Sequence, residues 1–484
     1  MKKNRAIEII STFSAKEVKQ FEEFLNSPFL NKNRKVVQLF DILKESHPNY
    51  DISDANLFGR IFGNASYRKS YLRNLFSDLN ILVEEFLLSL HVTSKSDKSK
   101  FVIEELISRG LYDLVLKKMK ILERNAGRHI MKDQEYYANM IFISDTKDLM
   151  NTDRSLSDRH TSISIKRKIC LSLLNLMESY FQFALEEQRI KISHDFGFLK
   201  LSLAYINSRL NEFKGEPLLM IYYHLWSVYF GDGTVAEFVK ARKIFNNHFM
   251  NLSNFDRKNI YSAMQTVCLK RIDANEESYR KMLSDILLEL LSRSVTSHKK
   301  NLIDLNLYRN VLISIYKLKD TKRLKKFIDN YAGSVKQESR NDINTYSEAH
   351  LSFLEGNFQM SLELCNKVNF NRFFMSTNEN LYFKNDVRML ALKALYELSH
   401  FEMLLNHTDT YRHFLRNSKV MKDAQKLKSL KCIEFTKSLA RLKSSFDDYE
   451  SHRLLENLKQ EMDVSEKEWL LEKGKELRHK YSNK

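Results

Sequence analysis

Acidic residues occur in adjacent pairs along this chain, and such pairs are the first candidates for acid–base chemistry. Examples are Glu84–Glu85, Glu104–Glu105, Glu186–Glu187 and Asp447–Asp448. Neighbouring side chains on an α-helix point about 100° apart, so the two carboxylates of one pair do not converge on a shared substrate. We therefore interpret these pairs as solvated helix faces rather than as catalytic acids and bases.

Histidine and cysteine are the next residues that could carry chemistry, as metal ligands or nucleophiles. The chain has 14 histidines and four cysteines, but neither a His-Glu-x-x-His motif nor a Cys/His pair at ligand spacing. His407 and His413 lie six residues apart, on nearly opposite sides of a helix. The chain also lacks the Gly-x-Ser-x-Gly motif of an activated serine. The sequence predicts no metal centre, no cofactor and no catalytic residue.

A glycine pair, Gly231-Asp232-Gly233, is the one candidate for a phosphate-binding loop. It lacks the lysine, the third glycine and the preceding strand that such a loop requires. We interpret it as a corner between a helix that ends near Phe230 and a helix that begins near Thr234.

Cations and aromatic residues cluster at the predicted start of a long helix near residue 70. They are Arg68, Lys69 and Arg73, interleaved with Tyr67 and Tyr71. Cations in the first turns of a helix oppose its dipole, so an external anion could favour them. Basic and aromatic residues at a helix start could contact phosphates and base edges. The alternative is a helix-bundle cap whose cations meet acidic residues elsewhere in the chain.

The elements that position these residues are predicted to be helices throughout. The chain of 484 residues has only 11 glycines and three prolines, Pro28, Pro48 and Pro217. Sheets and hairpins turn with glycine and proline, so a chain poor in both turns at short helix–helix corners. At about 20 residues for each helix and its turn, we expect roughly twenty-odd helices.

Apolar residues recur at the 3–4 spacing of a buried helix face in several segments. The clearest stripes are Leu72–Leu90, Leu283–Leu291 and Val387–Leu398. Three segments also fit the capping box that begins many helices: Ser14–Glu17, Thr345–Glu348 and Ser465–Glu468.

The net charge of +17 suggests a polyanionic partner, but its distribution does not. Each successive hundred residues carries an excess of two to four positive charges, with no basic tail. The widely spaced cysteines are typical of single buried thiols in a reducing compartment. The apolar stretch at the N-terminus is too short for a signal peptide, and no run is long enough to span a membrane. We expect a cytoplasmic protein.

A polar stretch, residues 93–100, divides the chain into two predicted parts. A small N-terminal helical domain covers residues 1–92, and an irregular α-solenoid of antiparallel helix pairs covers residues 101–484. A second polar stretch, Asp145–Ser164, is compatible with a loop or with a polar helix surface.

The C-terminal half contains two segments that resemble tetratricopeptide helix pairs. In residues 346–368, Ala349 and Phe353 would pack the first helix, Gly356 would form the corner, and Ser361 and Cys365 would lie on the second helix. Residues 390–415 are a weaker copy, with Ser399 and His400 at the corner. Generic helix pairs without repeat symmetry explain the pattern equally well.

Several segments also resemble a set of uncharacterised long all-helical proteins of Bacteroidota-like bacteria. They are FEEFLNSPFLNKNRKVVQLFDIL at residues 21–43, YLRNLFSDLNILVEEFL at residues 71–87, YRNVLISIYKLKDTKRLKKFIDNY at residues 308–331 and EKEWLLEK at residues 466–473. This resemblance implies a helical fold over most of the length. It implies no activity and no binding residues.

Three functions follow from these features. The first is a non-enzymatic scaffold or adaptor that binds a protein or peptide on a helical-repeat surface. The second is a nucleic-acid-associated or regulatory protein that uses Tyr67, Arg68, Lys69, Tyr71 and Arg73. The third is an enzyme with a site between helices, which a deep pocket lined by titratable groups would favour. The sequence does not predict the oligomeric state.

Overall fold

The computed structural model describes most of the chain. The described residues are 4–47, 52–63, 65–91, 95–128, 131–150, 154–190, 194–293, 302–368, 377–418, 421, 423–461 and 463–482. Pro48 and Asn64 lie outside them. Within these ranges the chain is all-helical, with 24 α-helices, three short 3-10 helices and no β-strand. This confirms the predicted all-α fold and the expected number of helices.

The helices follow one another with short connections. Their bounds are α1 Arg5–Ile10, α2 Ala15–Leu25, α3 Arg34–Glu45, α4 Asp54–Phe62, α5 Lys69–His91, α6 Lys95–Ser108, α7 Tyr112–Ala126, α8 Gln134–Met150, α9 Arg154–Ile190, α10 Gly197–Ser208, α11 Leu210–Phe213, α12 Pro217–Phe230, α13 Val235–His248, α14 Asn254–Asp273, α15 Ser278–Ser292, α16 Leu305–Lys317, α17 Thr321–Tyr331, α18 Arg340–Leu354, α19 Phe358–Lys367, α20 Thr377–Glu397, α21 Phe401–Asn417, α22 Asp423–Ser444, α23 Asp448–Gln460 and α24 Lys467–Ser482.

The chain divides into two compact units. One comprises Met1–Arg128 and Asn139–Ser164, and the other comprises His129–Ala138 and Ile165–Lys484. Residues 95–100 of the predicted polar linker form the first turns of α6, since serine and lysine are compatible with an exposed helix start. The predicted domain limits stay a prediction.

Apolar side chains from α1 to α5 form the core of the first unit. The ring centroid of Phe21 lies 4.9 Å from that of Phe40 and 5.0 Å from that of Phe86. Within the predicted stripe of α5, Leu72, Leu79 and the residues between them on that face are buried, whereas Leu87 is exposed. The core therefore uses most of the face that the sequence predicts.

The second polar stretch, Asp145–Ser164, contains the end of α8 and the start of α9; residues 151–153 lie outside the described ones. The Ser164 hydroxyl donates to Asp145 Oδ1 at 2.6 Å, and the Thr161 hydroxyl donates to Asp148 Oδ2 at 2.7 Å. The described part is thus helical, and its polar side chains bond the two helices to each other.

Neighbouring helices of the second unit pack in a regular order from α12 onward. Helices adjacent in sequence pack in the pairs α12–α13, α14–α15, α16–α17, α18–α19 and α20–α21. Helices two apart also pack, in the pairs α12–α14, α16–α18, α18–α20, α20–α22 and α22–α24. Helix α12 is buried on nearly all sides, since its neighbours cover it from Leu218 to Tyr229.

The corners of five helix pairs share one backbone feature, a single residue in the left-handed region. These residues and their φ angles are Gly231 (93°), Asn275 (66°), Lys319 (54°), Gly356 (80°) and Ser399 (60°). At three corners the amide after this residue donates back to the last helical turn, as in Asn357 N to Ser352 O at 2.9 Å. Such left-handed caps end helices compactly, which explains how the chain turns with so few glycines.

The predicted pair at residues 346–368 forms helices α18 and α19 around Gly356. Ala349 is fully buried, and its carbonyl accepts a hydrogen bond from Ser361 Oγ at 2.8 Å. The Phe353 ring lies 5.1 Å from that of Phe358. The corner and the buried small residues are as predicted, while repeat symmetry stays a prediction.

Two of the three predicted capping boxes are wrong. Ser14 caps α2, and the Ser14 amide donates to Glu17 Oε2 at 2.7 Å, as predicted. Thr345 instead lies inside α18, where its hydroxyl donates to Asn341 O at 2.9 Å. Glu466 follows Ser465 with a φ of +54°, outside the helical region, so Ser465 does not begin α24.

Candidate functional site

The predicted basic cluster lies at the start of α5, in the first unit. Lys69 is the first residue of α5, and Arg68 precedes the helix rather than lying in its first turn as predicted. The Arg68 guanidinium donates to the Tyr71 hydroxyl at 3.2 Å and lies 5.5 Å from the centre of its ring. Tyr67 and Tyr71 are each 47% exposed. The structure thus brings Arg68 and Tyr71 together on an exposed surface.

The two tyrosines pack against α4. The Tyr67 ring lies 5.3 Å from that of Phe58, and the Tyr71 ring lies 6.2 Å from that of Phe62. Lys35 Nζ, on α3, lies 4.3 Å from the centre of the Phe62 ring. Lys35 therefore belongs to this surface, although it is far from residue 70 in the sequence.

Lys69 and Arg73 are the exposed, unpaired cations of this cluster. Among the described residues, neither has a hydrogen-bond or carboxylate partner, and α5 has no acidic residue in its first turn. The alternative interpretation is a helix-bundle cap whose cations pair with acidic residues. Among the described residues, Lys69 and Arg73 make no such pair. They are available to an external anion.

A groove in the second unit crosses three helices, α13, α15 and α17. Its volume is about 560 Å³. It is lined by Arg242, Asp285, Leu288, Glu289, Ser292, Arg323, Lys326, Phe327, Asn330 and Tyr331. This volume lies within the range of binding pockets, and the lining combines charged and polar side chains with Leu288, Phe327 and Tyr331.

Ion pairs between helices hold the walls of this groove. Arg242 on α13 donates to Glu289 on α15 at 2.7 Å, and Arg323 on α17 donates to Asp285 on α15 at 2.6 Å. Arg293 lies 2.9 Å from the other oxygen of Glu289. These partly buried pairs fix the positions of the helices that border the groove.

Other lining residues are free to meet a ligand. Lys326 and Asn330 are exposed on α17, and among the described residues neither has a hydrogen-bond or ion-pair partner. The Phe327 ring lies 5.4 Å from that of Tyr331, which is half-buried. The groove thus offers a cation, an amide and the half-buried ring of Tyr331, which packs on the buried ring of Phe327.

A buried polar network joins α16, α18 and α20. The Arg309 guanidinium makes two hydrogen bonds to Asp386, at 2.5 and 2.7 Å. The Tyr346 hydroxyl donates to the same carboxylate at 2.8 Å. Burial alone would lower the pKa of Arg309, but the nearby carboxylate of Asp386 holds this pKa above its usual value. The Arg309 guanidinium, the Asp386 carboxylate and the Tyr346 hydroxyl all bond to one another within the network, so we assign it a structural role.

A second network anchors α24. Lys393 Nζ on α20 donates to Glu466 Oε2 at 2.6 Å and to the Tyr316 hydroxyl at 3.1 Å. The ammonium of Lys393 holds the pKa of the Glu466 carboxyl at about 2, against the opposing effect of burial. The Trp469 indole donates to Glu397 Oε1 at 3.0 Å. Trp469 therefore packs α24 onto α20.

Two further contacts fasten α24 to helices far back in the sequence. Arg280 on α15 bonds to Glu468, and Lys319 at the corner after α16 bonds to Glu472. Leu470 on α24 is fully buried. This helix thus contacts elements that lie more than 150 residues earlier.

The glycine corner, Trp226, His407 and the four cysteines have structural positions. Gly231 forms the predicted corner between α12 and α13, and Trp226 is buried, with its indole donating to Met177 O at 3.1 Å. His407 Nε2 lies 2.8 Å from Arg388 O, and His413 Nδ1 lies 3.1 Å from Asn417 Nδ2. Cys170, Cys268, Cys365 and Cys432 are free and buried, as predicted.

Comparison of this chain with protein-family models, curated proteins and solved structures finds no match. Among the described helices, none combines the length and the apolar character needed to cross a membrane. No group of three or more His, Cys, Asp or Glu side chains in the described part of the chain could hold a metal ion.

Proposed function

We propose that this protein is a non-enzymatic scaffold or adaptor of the cytoplasm that binds a protein or peptide partner on an irregular α-solenoid. The observation that carries the proposal is the groove across α13, α15 and α17, which three successive helix pairs build together. Grooves that span successive helix pairs are the usual binding surfaces of helical-repeat proteins.

Two features of the second unit support the solenoid. Helices two apart pack in a row from α16 to α24, as expected when each helix pair stacks on the next. The left-handed corner residues recur at Gly231, Asn275, Lys319, Gly356 and Ser399, so successive helix pairs have similar lengths. Similar units with local contacts are the hallmark of a solenoid.

The groove suits an acidic peptide that carries an apolar side chain. Lys326 would pair with a carboxylate, Asn330 would bond to peptide groups, and the edge of Tyr331 would contact the apolar side chain. The ion pairs Arg242–Glu289 and Arg323–Asp285 already satisfy their own charges, so they order the groove without attracting a second ion.

A photo-crosslinking experiment tests this proposal. A benzoylphenylalanine residue at position 330, in the groove, is compared with one at position 367, which is exposed on α19 outside the groove. Irradiation in the native cells should give a discrete protein adduct at position 330 that survives nuclease treatment and is absent at position 367. Lys326→Glu should reduce its yield several-fold. Equal adducts at both positions would overturn the proposal.

The basic surface of α5 favours a second candidate, a nucleic-acid-associated or regulatory protein. Exposed Lys69 and Arg73 lack partners among the described residues, and half-exposed Tyr67 and Tyr71 lie next to them. Such cations bind phosphates, and aromatic rings stack on bases.

A gel-shift titration of the full-length protein tests this second candidate. Replacing Arg68, Lys69 and Arg73 by alanine should weaken binding and lower the slope of log affinity against log salt by about three. The matched control replaces three exposed lysines of α7, namely Lys117, Lys118 and Lys120. Equal losses in both triple variants would show only an effect of net charge, and the candidate would be rejected.

A further inference from the structure

A second cavity, separate from the groove, lies along the seam between α12 and α13. Its volume is about 350 Å³. Its lining residues are Leu210, Lys214, Pro217, Met220, His224, Lys240, Ile244 and His248. It shares no lining residue with the groove across α13, α15 and α17. A ligand bound here therefore contacts a different set of side chains from those proposed for the peptide.

The lining of this cavity follows from helical spacing. Lys240, Ile244 and His248 are four residues apart on α13 and share one face. Pro217, Met220 and His224 fall three and four residues apart and share one face of α12. The cavity therefore has an apolar floor with basic side chains distributed along it.

All titratable side chains that line the cavity are basic. Among the described residues, Lys214 and His248 have no hydrogen-bond or ion-pair partner. Lys240 Nζ bonds to Glu237 at 2.7 Å, and His224 Nδ1 lies 2.5 Å from the other oxygen of that carboxylate. Glu237 thus offsets Lys240, while the charge of Lys214 stays uncompensated at the cavity.

The start of α12 adds a second feature that favours an anion. Pro217 is the first residue of this 14-residue helix and lines the cavity, and no side chain caps the helix start. The N-terminal end of a helix carries a partial positive charge from its unpaired amides. The Glu216 carboxylate at this end is paired with Lys132 Nζ at 2.9 Å and accepts from the Tyr137 hydroxyl at 2.5 Å, so Lys214 is the unpaired charge there.

We infer that this cavity binds a small amphiphilic anion, a hydrocarbon group that carries one acidic headgroup. The apolar body would lie on Met220, Ile244 and Leu210, and the headgroup would meet Lys214 near the start of α12. A purely inorganic anion would leave the apolar floor uncovered, and a neutral hydrocarbon would leave Lys214 unpaired.

Nuclear magnetic resonance of the full-length protein, labelled with ¹³C at the methionine methyl groups, tests this inference. Met220 lines the cavity, and its signal is assigned with Met220→Leu. The probes are octanoate, the neutral analogue octanol, the cationic analogue octylamine and inorganic phosphate. Octanoate should shift the Met220 signal in a saturable way, with an affinity roughly ten-fold or more above that of the other three probes.

Charge reversal provides the second arm. Lys214→Glu should weaken octanoate binding roughly ten-fold or more, whereas Lys243→Glu, at an exposed position of α13 outside the cavity, should leave it unchanged. If Lys214→Glu fails to fold, Lys214→Met serves in its place. A Met220 signal that does not move with octanoate, or that moves equally with octanol, would overturn the inference. If phosphate bound as tightly as octanoate, the inference that the ligand is amphiphilic would also be overturned.

Discussion

Lys393 and Glu466 form a buried ion pair that joins α20 to the residue before α24, with 2.6 Å between Nζ and Oε2. The Lys393 side chain is only 5% exposed. The rings of Phe353 and Tyr316 lie 4.9 and 5.2 Å from its ammonium. Taking both charges out of water is costly, and their mutual attraction offsets this cost only while both are present.

Removal of one partner should therefore destabilise the protein strongly. Glu466→Gln leaves the Lys393 ammonium buried without its counter-ion, and we expect the free energy of unfolding to fall by about 3–5 kcal/mol. Glu472→Gln is the matched control, because the pair of Glu472 with Lys319 is largely exposed and contributes about 0–1 kcal/mol. Urea denaturation of both variants measures the difference. A similar loss in both would contradict the buried-pair account.

Acid should destabilise the second unit through His350. Burial lowers the pKa of His350 to about 4, from an ordinary value of 6.5. The unfolded chain therefore binds a proton between pH 6.5 and 4 that the folded chain excludes, so stability falls as the pH falls through this window. We expect His350→Phe to reduce the loss of unfolding free energy between pH 7 and pH 5 relative to the native chain. An unchanged loss would refute the assignment.

Glu178 should have the opposite effect over a similar range. Burial, reinforced by the nearby charge of Asp256, raises the pKa of Glu178 to about 7 from an ordinary value of 4.5. The folded chain therefore holds a proton that the unfolded chain releases, and stability is lost as the pH rises from 4.5 through 7. Glu178→Gln avoids this loss and keeps an acceptor for Gln134, whose Nε2 donates at 2.6 Å.

The melting temperature at two pH values measures this effect. At pH 8 we expect Glu178→Gln to melt at a higher temperature than the native chain. Its free energy of unfolding should be larger by on the order of 2 kcal/mol. At pH 4.5 the two proteins should melt alike. A stabilisation of equal size at both pH values would show that the charge of Glu178 is not its cause.

Substitutions at two equivalent left-handed corner residues should change the stability of the protein in opposite directions. Ser399 has a φ of 60° at the corner after α20, and Gly356 has a φ of 80° at the corner after α18. A side chain in this region costs about 1–2 kcal/mol. Ser399→Gly should therefore stabilise the protein by about 0.5–1 kcal/mol, and Gly356→Ala should destabilise it by about 1 kcal/mol.

Chemical denaturation distinguishes this effect from a packing effect at Gly356. No atom lies within 4 Å of a Cβ built on that glycine, so a loss in Gly356→Ala comes from backbone strain. Gly333→Ala is the matched control, since Gly333 has equal space and no left-handed φ. A loss in Gly333→Ala as large as that in Gly356→Ala would argue against strain.

The sequence predicted features that depend on local spacing. The buried stripes of α5 and α20 and the corner at Gly231 follow from residues within a few turns of one another. The capping prediction at Thr345 failed because the same short motif also occurs inside a helix, where tertiary packing around Tyr346 extends α18 back to Arg340.

The candidate sites depend on residues that are distant in the chain. Arg242 and Tyr331 border one groove from helices α13 and α17, and only their packing reveals it. Lys35 joins the basic surface of α5 through its contact with Phe62, a contact that no local motif encodes. Tyr67 and Arg73 were within reach of sequence reasoning because one helix start carries the whole motif.

The contacts of α24 place a requirement on protein synthesis. Arg280 is made 188 residues before its partner Glu468, an interval of roughly 10–40 s on the ribosome at ordinary rates of translation. Lys393 is made 73 residues before its counter-ion Glu466, and Glu397 is made 72 residues before its partner Trp469. Until α24 is made, these side chains of the nascent chain lack their partners, so this stretch of synthesis is one in which a chaperone would protect it.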